Sequence, residues 1–352
     1  MMKRNIVKQY VLMLFLPSIV FQQFNSEIVS AAQSGKIVSW GKNDYGQCNI
    51  PSPNTDFTAV SASFNHSLGL KVDGSIVAWG NNEDGQCNVP EPNTGFIAVA
   101  AGSGHSLGLK ADGSIVAWGA NWYGECDVPE PNSGFIAVAA GPGAAFSLGL
   151  KADGSIVAWG DNGYGQCDVP EPNTGFIAIS TGSYHSLGLK DDGSIVEWGW
   201  NIDGLHKSPE PNTGFTAVAA GSSFSLGLKT DGSIVAWEGA NQYGECNVPE
   251  PNSDFIAVAG GGDHSLGLKA DGSVVAWGSN YYDQCNIPEP NTGFIAIAAG
   301  GFHNLAIRAC NYALAGDLNN DCRVDLYDFG LMASKWLIDC AAEPNNPNCT
   351  PK

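Results

Sequence analysis

Near the C-terminus, oxygen-bearing residues stand at the intervals a hard cation requires. Asp317, Asn319, Asp321, Asp325 and Asp328 occupy positions 1, 3, 5, 9 and 12 of one segment, and the carbonyl of Arg323 falls at position 7. Calcium gathers roughly six to eight oxygens from this spacing, so residues 317–328 predict a Ca2+ loop. A helix is predicted to follow, with Phe329, Met332, Ala333, Trp336 and Leu337 on one face. Cys310, Cys322, Cys340 and Cys349 bracket the segment. In an exported chain four such cysteines predict two disulfides, with the pairing left open.

Other reactive residue types recur at a fixed interval. His66, His105, His185, His264 and His303 each begin a similar apolar stretch, which could suggest a metal or proton-relay ring. Phe146 and Phe224 hold the equivalent position twice, and a phenyl ring neither ligates nor shuttles protons. Facing sheets also lie about 10 Å apart, too far for a zinc that needs each nitrogen at roughly 2.1 Å. The histidines are therefore expected to be packing residues. The same distance argues against disulfides among Cys48, Cys87, Cys126, Cys167, Cys246 and Cys285, because a disulfide needs Cα atoms within roughly 7 Å. Small buried thiols between sheets are expected instead.

One repeat departs from the others. Glu197 replaces the alanine found at 78, 117, 158, 236 and 276, and Trp200, Leu205, His206 and Lys207 follow it. A glutamate near a histidine could exchange protons. Glycoside hydrolysis, however, ordinarily uses two carboxylates about 5–10 Å apart, and no second non-repeated carboxylate is evident. No catalytic residue is assigned.

The elements that position these residues follow from the repeat. Trp40, Trp79, Trp118, Trp159, Trp198, Trp237 and Trp277 are 39 to 41 residues apart. Each unit runs from an apolar stretch such as 96–101 through a Gly-rich turn to 105–110, then Asp112-Gly113 and 114–118. Asp-Gly between short β-rich runs predicts a hairpin. A loop rich in Gly and Asn follows, then Val-Pro or Ile-Pro and Pro-Glu-Pro-Asn, where proline ends the unit. About four strands per unit, seven times over, predict an all-β, seven-bladed β-propeller, with an open β-solenoid as the alternative. Residues 36–40 lack a preceding partner strand and 303–307 lack a following one. Closure by pairing these two segments is expected, since it removes both exposed edges.

The pattern Ala-Ala-Gly-x-x-His-Ser-Leu-Gly-Leu-Lys-x-Asp-Gly-Ser-Ile-Val-Ala-Trp-Gly, with small changes over residues 60–86, 100–125 and 179–205, resembles the repeats of the regulator of chromosome condensation family. The resemblance covers about residues 34–309 and implies a seven-bladed propeller. The short Gly-Gln-x-x-Val-Pro form looks closest to secreted bacterial members of the β-lactamase inhibitor protein II type, which implies target binding through loops on one face. Nucleotide exchange on a small GTPase, known for eukaryotic members, is not carried over to an exported acidic chain. Residues 317–328 resemble one half of a type I dockerin, which implies Asp317, Asn319, Asp321, Asp325 and Asp328 as ligands and a cohesin-like partner. Cys322 stands where that family has glycine, and a second calcium segment is absent.

Lys3, Arg4 and Lys8, the apolar run 10–21 and Val29-Ser30-Ala31-Ala32 predict a signal peptide over residues 1–32, hence a secreted or cell-surface protein. No later stretch reaches a membrane-spanning length. A net charge of −19 argues against nucleic acid as a partner. The expected organisation is therefore a signal peptide at 1–32, a propeller at 34–309 and a calcium-binding tail at 310–352. Recognition is expected at the tips that vary between units: Tyr45, Trp122, Tyr123, Tyr164, Trp200, Tyr243, Tyr281 and Tyr282. Such aromatics suit an exported protein or a cell-surface glycan. The expected function is a non-enzymatic binding scaffold, the alternatives being a carbohydrate-active enzyme or a secreted protein inhibitor.

Overall fold

The computed structural model describes residues 34–309, apart from 142, 144, 201–207 and 238–240. The expected signal peptide, calcium loop, tail cysteines, Leu205, His206 and Lys207 lie outside the described residues. The described residues form strands and turns, with no helix among them.

One repeat explains the rest. Phe96–Ala101, His105–Lys110 and Ile115–Gly119 are three antiparallel strands, with Ala101 opposite Ser106 and His105 opposite Gly119. The middle strand is buried along nearly its whole length, as a strand covered on both faces must be. Its glycine is required: a Cβ on Gly108 would stand 2.5 Å from Cε1 of Phe96, whose ring lies across it. Lys110 caps the same ring with Nζ 4.0 Å from the centroid. In the hairpin turn Gly113 takes φ +81°, and Asp112 Oδ1 accepts from both Ser114 N–H (2.9 Å) and Ser114 Oγ–H (2.6 Å).

The expectation of about four strands is corrected to three. After the loop, residues 87–95 form no strand, and prolines at 90 and 92 cannot donate to a ladder. A side chain takes the edge instead. Asn93 Oδ1 accepts from Ile76 N–H at 2.8 Å and its Nδ2 donates to the Ile76 carbonyl at 2.9 Å, satisfying that backbone without a fourth strand. Asn54, Asn132, Asn173, Asn212, Asn252 and Asn291 repeat this bond.

The sheets stack through their first strands. Phe57–Ala62 packs on Phe96–Ala101, then in turn Phe135–Ala140, Phe176–Thr181, Phe215–Ala220, Phe255–Gly260 and Phe294–Ala299, which returns to Phe57–Ala62. The series closes on itself, which an open solenoid does not do. Gly35–Gly41 lies beside His303–Ala309 in one six-stranded sheet that continues through Phe57–Ala62 by the pair Gly35 and Phe57. Trp40 seals this junction, donating from Nε1 to the Gln284 carbonyl at 2.9 Å across 244 residues of sequence.

Candidate binding face

The loop after each tryptophan is held from within and from the next unit. In the loop that follows Trp118, Asn121 Oδ1 accepts from Cys126 N–H (2.9 Å) and Asn121 Nδ2 donates to Asp127 Oδ1 (2.9 Å). Tyr123 N–H donates to Oε2 of buried Glu125 at 2.7 Å. The Glu125 carbonyl then accepts from Trp159 Nε1 (2.9 Å) and Ser147 Oγ (3.2 Å) of the next unit. A loop tied at so many points presents its tip at little entropic cost. At that tip Trp122 is 74% exposed and Tyr123 62%.

The same N–H bond fixes Tyr45 on Gln47, Tyr164 on Gln166, Tyr243 on Glu245 and Tyr282 on Gln284. These tyrosines are thus topologically equivalent, and Asp84 holds their place in the second unit. Trp122 and Tyr281 stand one residue earlier. Tyr281 is 84% exposed, whereas Tyr282 and Trp200 are half-buried.

Two clusters join the loop tips to the turns between first and middle strands. Tyr164, Tyr184 and Trp200 meet edge to face, with centroids 4.9, 5.7 and 6.1 Å apart. Tyr281 meets Tyr282 at 4.9 Å, Tyr282 meets Phe302 at 5.3 Å and Phe302 meets Phe64 at 5.6 Å. Lys42 Nζ lies 5.0 Å from the Tyr282 centroid and 3.4 Å from Asp44 Oδ2. Tyr184, Phe64 and Phe302 were absent from the sequence-based set. They vary between units just as the loop tips do, so the same criterion applied to the turn before each middle strand identifies them.

Those turns border an open cavity of about 450 Å³, lined among others by Phe64, Ser103, Ser183, Ser222, Asp263 and Phe302. Four successive pairs of these turns are bonded: Ser183 N–H donates to Ser222 O (3.1 Å), Ser222 N–H to Gly261 O (3.0 Å), Gly262 N–H to Gly301 O (3.0 Å) and Gly301 N–H to Ser63 O (3.0 Å). Burial, followed by the charge of Glu245, raises the pKa of Asp263.

The histidines link units beneath this face. His66, His105, His185 and His303 hold Nε2 at 3.0, 2.9, 3.1 and 2.9 Å from the hydroxyls of Ser106, Ser147, Ser225 and Ser67, and His264 Nε2 lies 2.7 Å from Asn304 Oδ1. Ser106, Ser147 and Ser67 donate their own protons to loop carbonyls, so the histidines opposite them carry the proton on Nε2. Burial pushes His66 and His303 down to about 3 and His105 and His264 to about 4. Neutral, interlocked rings are the packing role expected for them.

The repeat cysteines are half-buried and do not fill the space between sheets alone, which corrects the expectation. Sγ of Cys48, Cys87, Cys126, Cys167 and Cys285 donates to the carbonyl six residues earlier, bracing the loop. Burial raises these thiols to about 11 or 12, which withholds the nucleophilic thiolate.

Glu197 is likewise part of a junction. Its carboxylate accepts from Trp237 Nε1 (3.1 Å) and Ser225 Oγ (3.4 Å), with His185 Nε2 at 4.0 Å, and it is buried. This side chain is committed to partners inside the protein. Among the described residues no cluster of His, Cys, Asp or Glu suits a metal, and no helix is long and apolar enough to cross a membrane.

The regulator of chromosome condensation (RCC1) repeat matches residues 57–86, 96–125, 135–166, 176–204 and 255–284. No curated protein matches the sequence. Among solved structures, Prp20p from Saccharomyces cerevisiae, described with its binding properties to Gsp1p and histones, is similar with a TM-score of 0.65 at 17% identity, over 84% of this chain and 95% of that one. Human WBSCR16 aligns with a TM-score of 0.59 at 16% identity over 78% and 99%. The ectodomain of the Arabidopsis thaliana receptor kinase ACR4 aligns with a TM-score of 0.55 at 24% identity over 69% and 88%. The exclusion of a small GTPase as partner gains no support from a fold shared with a protein that binds Gsp1p. Five segments of the chain therefore match the RCC1 repeat, and the chain folds as an RCC1-like β-propeller.

Proposed function

We propose that this chain is a secreted, non-enzymatic binding scaffold: a seven-bladed propeller in which strands 35–41, 294–299 and 303–309 make the last blade and 57–80 the first. Its aromatic face engages a protein or a glycan, and the calcium-binding tail attaches it to a cohesin-like module at the cell surface. The observation that carries this reading is the continuity of exposed loop rings with the turn residues around the cavity, through Tyr164, Tyr184 and Trp200 on one side and Tyr281, Tyr282 and Phe302 on the other. Fixed loops bearing large amphipathic rings concentrate binding energy on few residues. A protein is favoured over a glycan as ligand because a structural neighbour, Prp20p, is described as binding proteins. The signal peptide expected at residues 1–32 and a net charge of −19 support an extracellular partner.

Affinity capture on extracellular fractions, with and without chelator, tests this reading. The full chain is expected to retain a partner that a Trp122→Ala/Tyr281→Ala variant releases. Chelator is expected to release a different, tail-dependent partner, and Asp321→Ala to abolish calcium uptake in a calorimetric titration. Equal capture by the variant and the parent chain would remove the aromatic face from the proposal.

A further inference from the structure

Basic residues are segregated on this molecule. Lys71, Lys110, Lys151, Lys190, Lys229, Lys269 and Arg308 all sit at the Asp-Gly end of the sheets, each over a phenylalanine ring at 3.7 to 5.1 Å. Lys36 neighbours Gly35, which pairs with Phe57 at that same end. On the loop face the one basic side chain among the described residues is Lys42, already beside Asp44 and the Tyr282 and Phe302 rings. Asp44, Glu83, Asp84, Asp161, Asp263 and Asp283 share that face. Among the described residues the aromatic face is therefore electronegative.

The cavity at its centre has the chemistry to take a cation. No basic residue is among those lining it. The N–H groups of Ser183, Ser222 and Gly262 in its wall are committed to neighbouring turns, at Ser222, Gly261 and Gly301. Phe64, Tyr184 and Phe302 offer ring faces, whose quadrupole attracts cations. Asp263 contributes a carboxylate that burial and Glu245 disfavour when it is charged, so an incoming positive group relieves the repulsion. The Ser222 hydroxyl is buried without a partner among the described residues and lines the same space. A volume of about 450 Å³ accommodates one long side chain with some water.

We infer that the cavity receives the ammonium or guanidinium of a lysine or arginine presented by a basic partner protein seated on the aromatic rim. This rests on the reading of that rim as a binding face and narrows it to one class of partner. A neutral glycan would gain nothing from the charge segregation.

Calorimetry of the full chain with an octalysine peptide, and separately with cellohexaose, tests the inference. The control is a charge-matched variant, Asp271→Asn, on the opposite end of the sheets. Octalysine is expected to bind, Asp263→Asn to weaken it by about tenfold or more, and Asp271→Asn to weaken it by less than about twofold. Phe302→Ala is expected to weaken it as well; Asp263→Asn, being isosteric, keeps the test valid if the larger truncation unfolds. Equal loss in both Asp variants means that net charge alone drives binding, and the inference fails. Failure of octalysine to bind also overturns it. Binding of cellohexaose that is lost in Trp122→Ala/Tyr281→Ala, with no response to octalysine, overturns the inference while leaving the rim as a binding face.

Discussion

Trp237 donates its indole N–H to the carboxylate of Glu197 at 3.1 Å, whereas Trp40, Trp79, Trp118, Trp159, Trp198 and Trp277 donate to a main-chain carbonyl of the preceding loop, at Gln284, Gln47, Gln86, Glu125, Gln166 and Glu245. In the odd unit the Gln/Glu-Cys pair of that loop is replaced by Leu205 and His206 in the sequence, and the Glu197 side chain supplies an acceptor. Glu197→Ala is therefore expected to leave a buried indole N–H unsatisfied and to cost about 1–3 kcal/mol. Thermal unfolding measures this. A variant that melts with the parent chain would mean that Glu197 is dispensable to the junction.

The histidine linkages make the fold acid-sensitive. The buried rings of His66, His105, His264 and His303 have pKa values below those of the unfolded chain, so the unfolded state binds more protons and stability falls as pH falls. The contribution is complete above about pH 6.5 and is lost progressively down to about 4 for His105 and His264 and about 3 for His66 and His303. At pH 4 this amounts to a few kcal/mol per histidine in order of magnitude. Phe146 and Phe224 already occupy the same position, fully buried. His105→Phe is expected to fold and to lose less stability than the parent chain between pH 7 and pH 4 in urea titrations. An unchanged slope would assign the acid sensitivity to other groups.

Much of the fold is legible in the sequence because every unit repeats the same physical solution. The Asp-Gly turn, the Trp spacing and the half-hairpins at residues 36–40 and 303–307 each point to one arrangement. The number of strands per unit was not legible, since nothing in a local pattern announces that Asn93 will occupy the edge through both of its amide atoms. The site was half legible. Sequence variation located the loop tips, but Tyr184 and Phe302 become part of the same surface only when the end of the first strand is brought beside the end of the third. Glu197 looked reactive because its partner Trp237 lies 40 residues away.

The loop thiols should be slow to react. With pKa values raised to about 11 for Cys48, Cys87 and Cys285 and about 12 for Cys126 and Cys167, almost none is thiolate at pH 8. Iodoacetamide followed by peptide mass spectrometry is expected to leave these five unmodified in the folded chain and to label them in urea. Rapid native labelling would show that the loops open.

The junction of the chain ends is the place where one residue controls the whole ring. Trp40 is buried with Leu266, Leu268, Phe294 and Ile297, and its indole bond to Gln284 joins the start of the propeller to its last loop. Trp40→Ala is expected to cost about 3–5 kcal/mol through the cavity it leaves, and deletion of residues 34–42 to cost more, by exposing the edge of His303–Ala309. By contrast, Trp122→Ala and Tyr281→Ala remove exposed rings and should change stability by less than about 0.5 kcal/mol. Parallel melts of the four variants separate the two classes. Equal melting temperatures for Trp40→Ala and the parent chain would mean that the ring does not depend on its closing strand.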